Sequence, residues 1–205
     1  ALLDGAPDPA AARERLNALK DREMFRVDMR HIQGHMAEFG EFSAELGDVV
    51  EVVLTGALRL AYEAVGPAGG EARAPLALFG LGKLGGRELG YASDVELLFV
   101  YDAQGADAAA FHDRLVSAFL GMLQTRRAGI LRIDLRLRPY GAAGSLAVAL
   151  EAFRRYYGPE GPAWPYERQA LVKARPVAGD AALGARVVAL RDEYVYAGPP
   201  FDLAA

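Results

Sequence analysis

The chain has 205 residues, 52% of them hydrophobic and 24% charged, with a formal net charge of −4. That suits a soluble globular fold with a sizeable core, and the mildly acidic balance argues against nucleic acid as the main partner, since phosphate backbones are bound by dense Lys/Arg surfaces. The absence of cysteine excludes disulfides and thiolate zinc sites and fits a reducing, cytoplasmic setting. No apolar run approaches the roughly 20 residues of a membrane span. The start at Ala1 carries neither Met nor a signal-peptide pattern, and reads as a piece of something longer.

Along residues 13–39, Phe25, Met29, Ile32, Met36 and Phe39 recur at three- and four-residue steps. The spacing predicts a helix with that stripe as one face. A second helical run, through Leu46, Val50, Val53, Leu54, Leu58 and Val65, stops at Gly66-Pro67, and Gly69-Gly70 continues the break. The period then changes. A short apolar strand at 76–79 leads into a glycine-rich connection over 80–93, and a second strand spans 95–101. An Ala/Leu-rich helix follows over about 108–127 and ends at Gly129. Residues 130–138 alternate strictly and predict a strand ended by Pro139; a further short strand is expected near 145–150. Helices are expected at 150–157, 166–175 and 181–194, separated by Gly158-Pro159, Pro176 and Gly179. The organisation is an N-terminal helical segment 1–70, an α/β core 71–150 and a C-terminal helical segment 151–205. The fold class is α+β or α/β, with a small mixed sheet between flanking helices.

Asp94-Val95-Glu96 puts two acids two residues apart at the start of a strand, hence on one face. Two adjacent carboxylates repel and favour a cation; Mg²⁺ takes oxygen ligands together with substrate phosphates. Alone, such a pair reads as a solvated strand end. On the alternating run, Leu131, Ile133, Leu135 and Leu137 form one face, and Arg132, Asp134, Arg136 and Arg138 the other. Alone, that is an exposed strand with a salt-bridge ladder. Beside Asp94 and Glu96, Asp134 becomes a third metal carboxylate, and Arg136 and Arg138 become phosphate ligands, because guanidinium forks match phosphate oxygens.

The connection supplies a phosphate-compatible loop, with Gly80, Gly82, Gly85 and Gly86 around Lys83. It is not a Walker loop, since Leu84 stands where Ser or Thr should hold the metal. Gly80, Gly82 and Gly85 also spell G-x-G-x-x-G, with Asp102 about 20 residues on, as in a Rossmann dinucleotide-binding oxidoreductase. That rival needs a full crossover helix between parallel strands, and residues 86–93 are too few. His31 and His35 lack the glutamate of a zinc-protease helix and read as surface or interface residues. Trp164 with Tyr156, Tyr157 and Tyr166 reads as core or as a binding platform, and Lys173 and Arg175 as phosphate ligands or solvated residues.

The run GLGKLGGRELGYASDVELLF from Gly80 to Phe99, RIDLRLRP from Arg132 to Pro139, and WPYERQALVKAR from Trp164 to Arg175 resemble the catalytic domains of the glutamine synthetase adenylyltransferase/adenylyl-removing family, as does the segment from Arg22 to Val27. The likeness covers about residues 16–180. It implies a DNA polymerase beta-like nucleotidyltransferase sheet. It implies Asp94, Glu96 and Asp134 as catalytic, metal-binding acids for Mg²⁺, with the 82–86 turn and Ser93 toward the phosphates of ATP or ADP. The family usually carries Asp-x-Asp, so Glu96 is one methylene longer than the pattern. Full-length members hold two such domains: one adds AMP from ATP to a tyrosine of glutamine synthetase, the other removes it by phosphorolysis. Leu89-Gly90-Tyr91-Ala92-Ser93, Ala142-Ala143-Gly144 and Gln169-Ala170-Leu171-Val172 resemble the adding domain, Tyr156-Tyr157-Gly158 and Glu167-Arg168 the removing one; the balance leans to adding. Glutamine synthetase is the implied protein substrate and a PII protein the implied regulator, the latter through the full-length enzyme. A non-catalytic docking module for either protein stands as an alternative.

Overall fold

The computed structural model describes residues 8–66, 74–123 and 131–197. Two long helices come first, α1 (Pro9–Ile32) and α2 (Phe39–Val65). Asp8 caps α1, accepting from the Ala11 amide at 2.8 Å, and Pro9 fits the first turn because its missing N–H is not needed there. The expected helix over 13–39 is cut after Ile32, where Gly34 takes φ +74° and the chain reverses. The expected apolar face of α1 is also corrected. Phe25 and Ile32 are about two-thirds exposed, while Ala12, Leu16, Lys20 and Val27 are buried. Helix α2 keeps its predicted face, with Leu46, Val50, Val53, Leu54 and Leu58 buried, and ends at Gly66.

Strand β1 (Leu76–Gly80) passes through the single-turn helix α3 (Gly82–Gly85) into β2 (Val95–Tyr101), and the two strands pair antiparallel, Leu78 opposite Phe99. This excludes the Rossmann reading, which requires them parallel. Helix α4 (Ala106–Met122) follows; its expected end at Gly129, like the Gly69-Gly70 break, lies outside the described residues. On its other edge β2 receives two short parallel strands, β3 (Ile133–Asp134) at its start and β4 (Ala147–Ala149) at its end. Helices α5 (Leu150–Tyr157) and α6 (Pro165–Gln169) lead to β5 (Arg175–Gly179), antiparallel to β1, and then α7 (Ala181–Arg191).

Strand β5 was expected to be the end of a helix with Pro176 as a break. An edge strand tolerates a proline, because the side without a neighbour needs no donor. The strand order β3-β2-β1-β5 leaves β5 at that edge.

Both faces of the sheet are covered. Leu76, Leu78, Leu97 and Phe99 pack toward α1, α2 and α4, and Ala77, Phe79, Leu98 and Val100 toward α5 and α7. Period-two alternation with both faces apolar explains why these strands read as continuous hydrophobic runs. The first of these cores unites the N-terminal helices with the sheet. Among the described residues, no helix is long and apolar enough to cross a membrane.

Candidate active site

Side chains on β2 alternate, so Val95 is buried toward the helices while Glu96 lies on the opposite face at the strand's beginning. Strand β3 pairs here in parallel, with Val95 opposite Ile133 and Glu96 opposite Asp134. Asp94 precedes β2 and comes within 3.8 Å of Arg132 Nε. The three acids of the sequence therefore meet at one end of the sheet. Their charges are felt: burial pushes the Glu96 carboxyl above its ordinary range, Asp134 and Asp94 push it further, and Lys83 and Arg136 pull it back.

The turn at α3 closes over Glu96. A Cβ on Gly82 would lie 1.6 Å from Glu96 Oε2, and Gly82 has φ +45°, so this position needs glycine twice over. Leu81 N donates to Glu96 O at 2.9 Å. Lys83 is exposed beside the acids. Gly80 and Gly85 serve packing instead. A Cβ on Gly80 would strike Leu84, and one on Gly85 would lie 1.9 Å from Lys173 O. Gly86 lies against the Lys173 side chain. Ser93 is turned into its own loop, where its Oγ accepts from Gly90 N at 3.0 Å.

The expected strand over 130–138 is corrected. Only Ile133–Asp134 pair with a neighbour, and the chain turns at Arg136 and Leu137. A turn abolishes the alternation that would have put Arg136 and Arg138 on one face. Arg136 folds back on Asp134, with its Nη2 2.6 Å from Asp134 Oδ2 and its amide 2.8 Å from Oδ1. The guanidinium hydrogen bond holds the Asp134 carboxyl below its ordinary range. Arg138 is buried and donates to the carbonyls of Leu135, Ala142 and Gly144, at 2.6, 3.3 and 3.2 Å. Its fork braces the 135–144 loop, which removes it from the candidate phosphate ligands.

Among the described residues, no group of three His, Cys, Asp or Glu is disposed to hold a metal ion. The donor set nonetheless suits Mg²⁺: three carboxylates, with a mutual repulsion at Glu96 that a cation relieves. Arg136 covers the Asp134 carboxylate, donating to both of its oxygens.

A cleft of about 440 Å³ adjoins the acids but is lined by Val95 and Ser93, not by Asp94 or Glu96; Phe25, Asp28, Tyr91 and Leu131 form further walls. Sequence reasoning missed it, because no spacing signal ties α1 to a loop over 60 residues away. His31 packs against Phe42 and Tyr91 beside it, and His35 lies outside the helix, so the two histidines do not share a helical turn. Tyr156 and Tyr157 are core, whereas Trp164 and Tyr166 are two-thirds exposed.

The glutamate-ammonia ligase adenylyltransferase family model matches residues 1–189. The chain is 36% identical to the bifunctional glutamine synthetase adenylyltransferase/adenylyl-removing enzyme of Bordetella pertussis over 93% of its own length. It is 39% identical to that of Chromobacterium violaceum over 90%, and 36% identical to that of Mycobacterium leprae over 97%. In each case it spans 20% of the relative. A match of this extent, joined to an acid cluster closed by a glycine turn, places the chain in the glutamate-ammonia ligase adenylyltransferase family.

Proposed function

We propose that this chain is a nucleotidyltransferase domain, built on a polymerase beta-like sheet, that moves AMP between ATP and a tyrosine hydroxyl of glutamine synthetase. The observation that carries the reading is the pairing of Glu96 with Asp134 on adjacent strands, Asp94 beside them, under a turn in which Gly82 yields to Glu96. The named relatives supply the substrate, and a PII protein acts through the longer enzyme.

Asp94, Glu96 and Asp134 would hold Mg²⁺. When bound, the metal lowers the pKa of the tyrosine hydroxyl and neutralises the phosphates. The tyrosine oxygen attacks the α-phosphorus of ATP, its proton passes to a carboxylate, and pyrophosphate leaves. In the removing direction inorganic phosphate attacks the same phosphorus, tyrosine leaves and ADP forms. Lys83 neutralises charge on the phosphates. Arg136 moves from Asp134 to the nucleotide, which frees Asp134 to bind metal or accept the proton. The reaction belongs to the cytoplasm and involves neither nucleic acid nor membrane.

The test is transfer of label from α-phosphate-labelled ATP to glutamine synthetase with Mg²⁺, comparing wild type with Asp134→Asn. Label that appears with wild type and is lost in the variant supports the adding direction. Silence there together with phosphate-dependent release of ADP from adenylylated glutamine synthetase supports the removing one. Silence in both directions, with binding to glutamine synthetase retained, makes the domain a docking module.

A further inference from the structure

The turn carrying Lys83 is held from behind by a residue 90 positions away. Arg175 Nε donates to Gly85 O at 3.1 Å and its Nη2 to Leu84 O at 3.2 Å. The last carbonyls of a helix have no partner within it, and Gly85 O takes Arg175 as its donor, while Leu84 O also accepts from Arg87 N at 3.2 Å. The same Nη2 lies 2.6 Å from Glu51 Oε1 on α2. Glu51 also lies 3.6 Å from Arg87 Nη1, while Arg87 Nη2 meets Asp48 Oδ1 at 2.6 Å. Helix α2 thus grips the segment after Gly85 twice, through Arg87 and through Arg175. The backbone of Arg175 is itself fixed, because it pairs with Gly80 at the start of β5. Lys173 completes the clamp: its carbonyl fills the place of a Gly85 side chain, and its Nζ pairs with Glu88 at 2.5 Å.

We propose that Arg175 is a positioning residue for nucleotide binding: it fixes the 82–86 turn by tying its carbonyls to Glu51, and it does not touch the nucleotide. This rests on the reading that the turn faces the nucleotide phosphates. Two carbonyls and a carboxylate already occupy Nε and Nη2 of Arg175, so a phosphate could take that edge of the fork only by displacing them. A lysine supplies a point charge without the fork and cannot reach these acceptors together.

The measurement is the affinity of the intact protein for ATP with Mg²⁺, read by calorimetry, with the melting temperature as control. Arg175→Ala and Glu51→Gln should each weaken binding about tenfold, the double variant should be little worse than either, and Arg175→Lys should fall between. Amide exchange over 82–88 should quicken in Arg175→Ala and Glu51→Gln without nucleotide, while exchange in α4 stays as in wild type. If Arg175 gripped phosphate directly, Glu51→Gln would free it and tighten binding; tighter or unchanged binding in that variant overturns the proposal. Normal affinity in Arg175→Ala overturns it too, and leaves the nucleotide reading standing. A wild-type protein that binds no ATP overturns the nucleotide reading, and this assignment with it.

Discussion

Glu96 and Asp134 stand opposite one another on parallel strands, yet their carboxyls are shifted in opposite directions. Glu96 is raised by burial and by its two acidic neighbours; Asp134 is lowered by the guanidinium of Arg136. Two adjacent carboxylates with separated proton affinities share one site, and their charge is only partly compensated. That is the electrostatic state a bound cation relieves.

Glu96 destabilises the folded chain when ionised. Its folded pKa lies above the ordinary value of 4.5, so the folded state binds the proton more tightly than the unfolded state. The cost develops as pH rises from 4.5 through the raised value, and is fully present above it. Glu96→Gln should therefore raise the melting temperature at pH 7 by about 2–4 °C, and the gain should vanish near pH 4. The same change should abolish any Mg²⁺-dependent activity. A scan of melting temperature against pH for both proteins decides it.

Arg136→Ala should have the opposite sign. Asp134 is held below its ordinary 3.8, so the pair stabilises above that pH and the contribution is lost as pH falls through the lowered value. The variant should be less stable at neutral pH, and only modestly so, because solvent screens the exposed arginine although the carboxylate is buried. The two urea-unfolding free energies should begin to converge as pH falls past 3.8 and meet only below the lowered value.

Gly82→Ala should be costly on two counts. The residue must adopt φ +45°, and its Cβ would collide with Glu96 Oε2. We expect a loss of about 1–3 kcal/mol and of nucleotide binding. Adding Glu96→Asp withdraws the carboxylate but leaves the backbone strain, so stability should recover only in part. Denaturant unfolding of the single and double variants gives both numbers.

Arg138→Ala should act on stability alone. Its guanidinium serves three backbone carbonyls of the 135–144 loop, and their loss should cost about 2–3 kcal/mol. Affinity for ATP per folded molecule should be unchanged. A specific loss of affinity at full stability would return Arg138 to the phosphate ligands.

The sequence by itself determined strand β2, helix α2 and helix α5, and singled out the three acids that the structure brings together. Val95–Tyr101 is an unbroken apolar run bounded by turn residues, and Asp94-Val95-Glu96 fixes a spacing that a strand converts into direction. It also carried the family, because GLGKLGGRELGYASDVE is a long and specific string. What it misjudged depends on contacts between distant segments. Alternation predicted a nine-residue strand at 130–138, but a strand needs a neighbour, and β2 offers β3 only two residues before the chain turns. Phe25 and Ile32 have helical spacing, but which face of α1 is buried depends on where α2 lies, and Leu16 and Val27 share one core with the buried residues of α2. Arg136 and Arg138 look alike in sequence, and only the turn between them sends one to a carboxylate and the other to buried carbonyls. Pro176 reads as a break, and becomes part of β5 only because that strand takes the edge of the sheet. Local periodicity fixes an element's type. Its neighbours, and therefore the partners of each charged side chain, are settled by tertiary packing, because hydrogen bonding and burial depend on which segments meet.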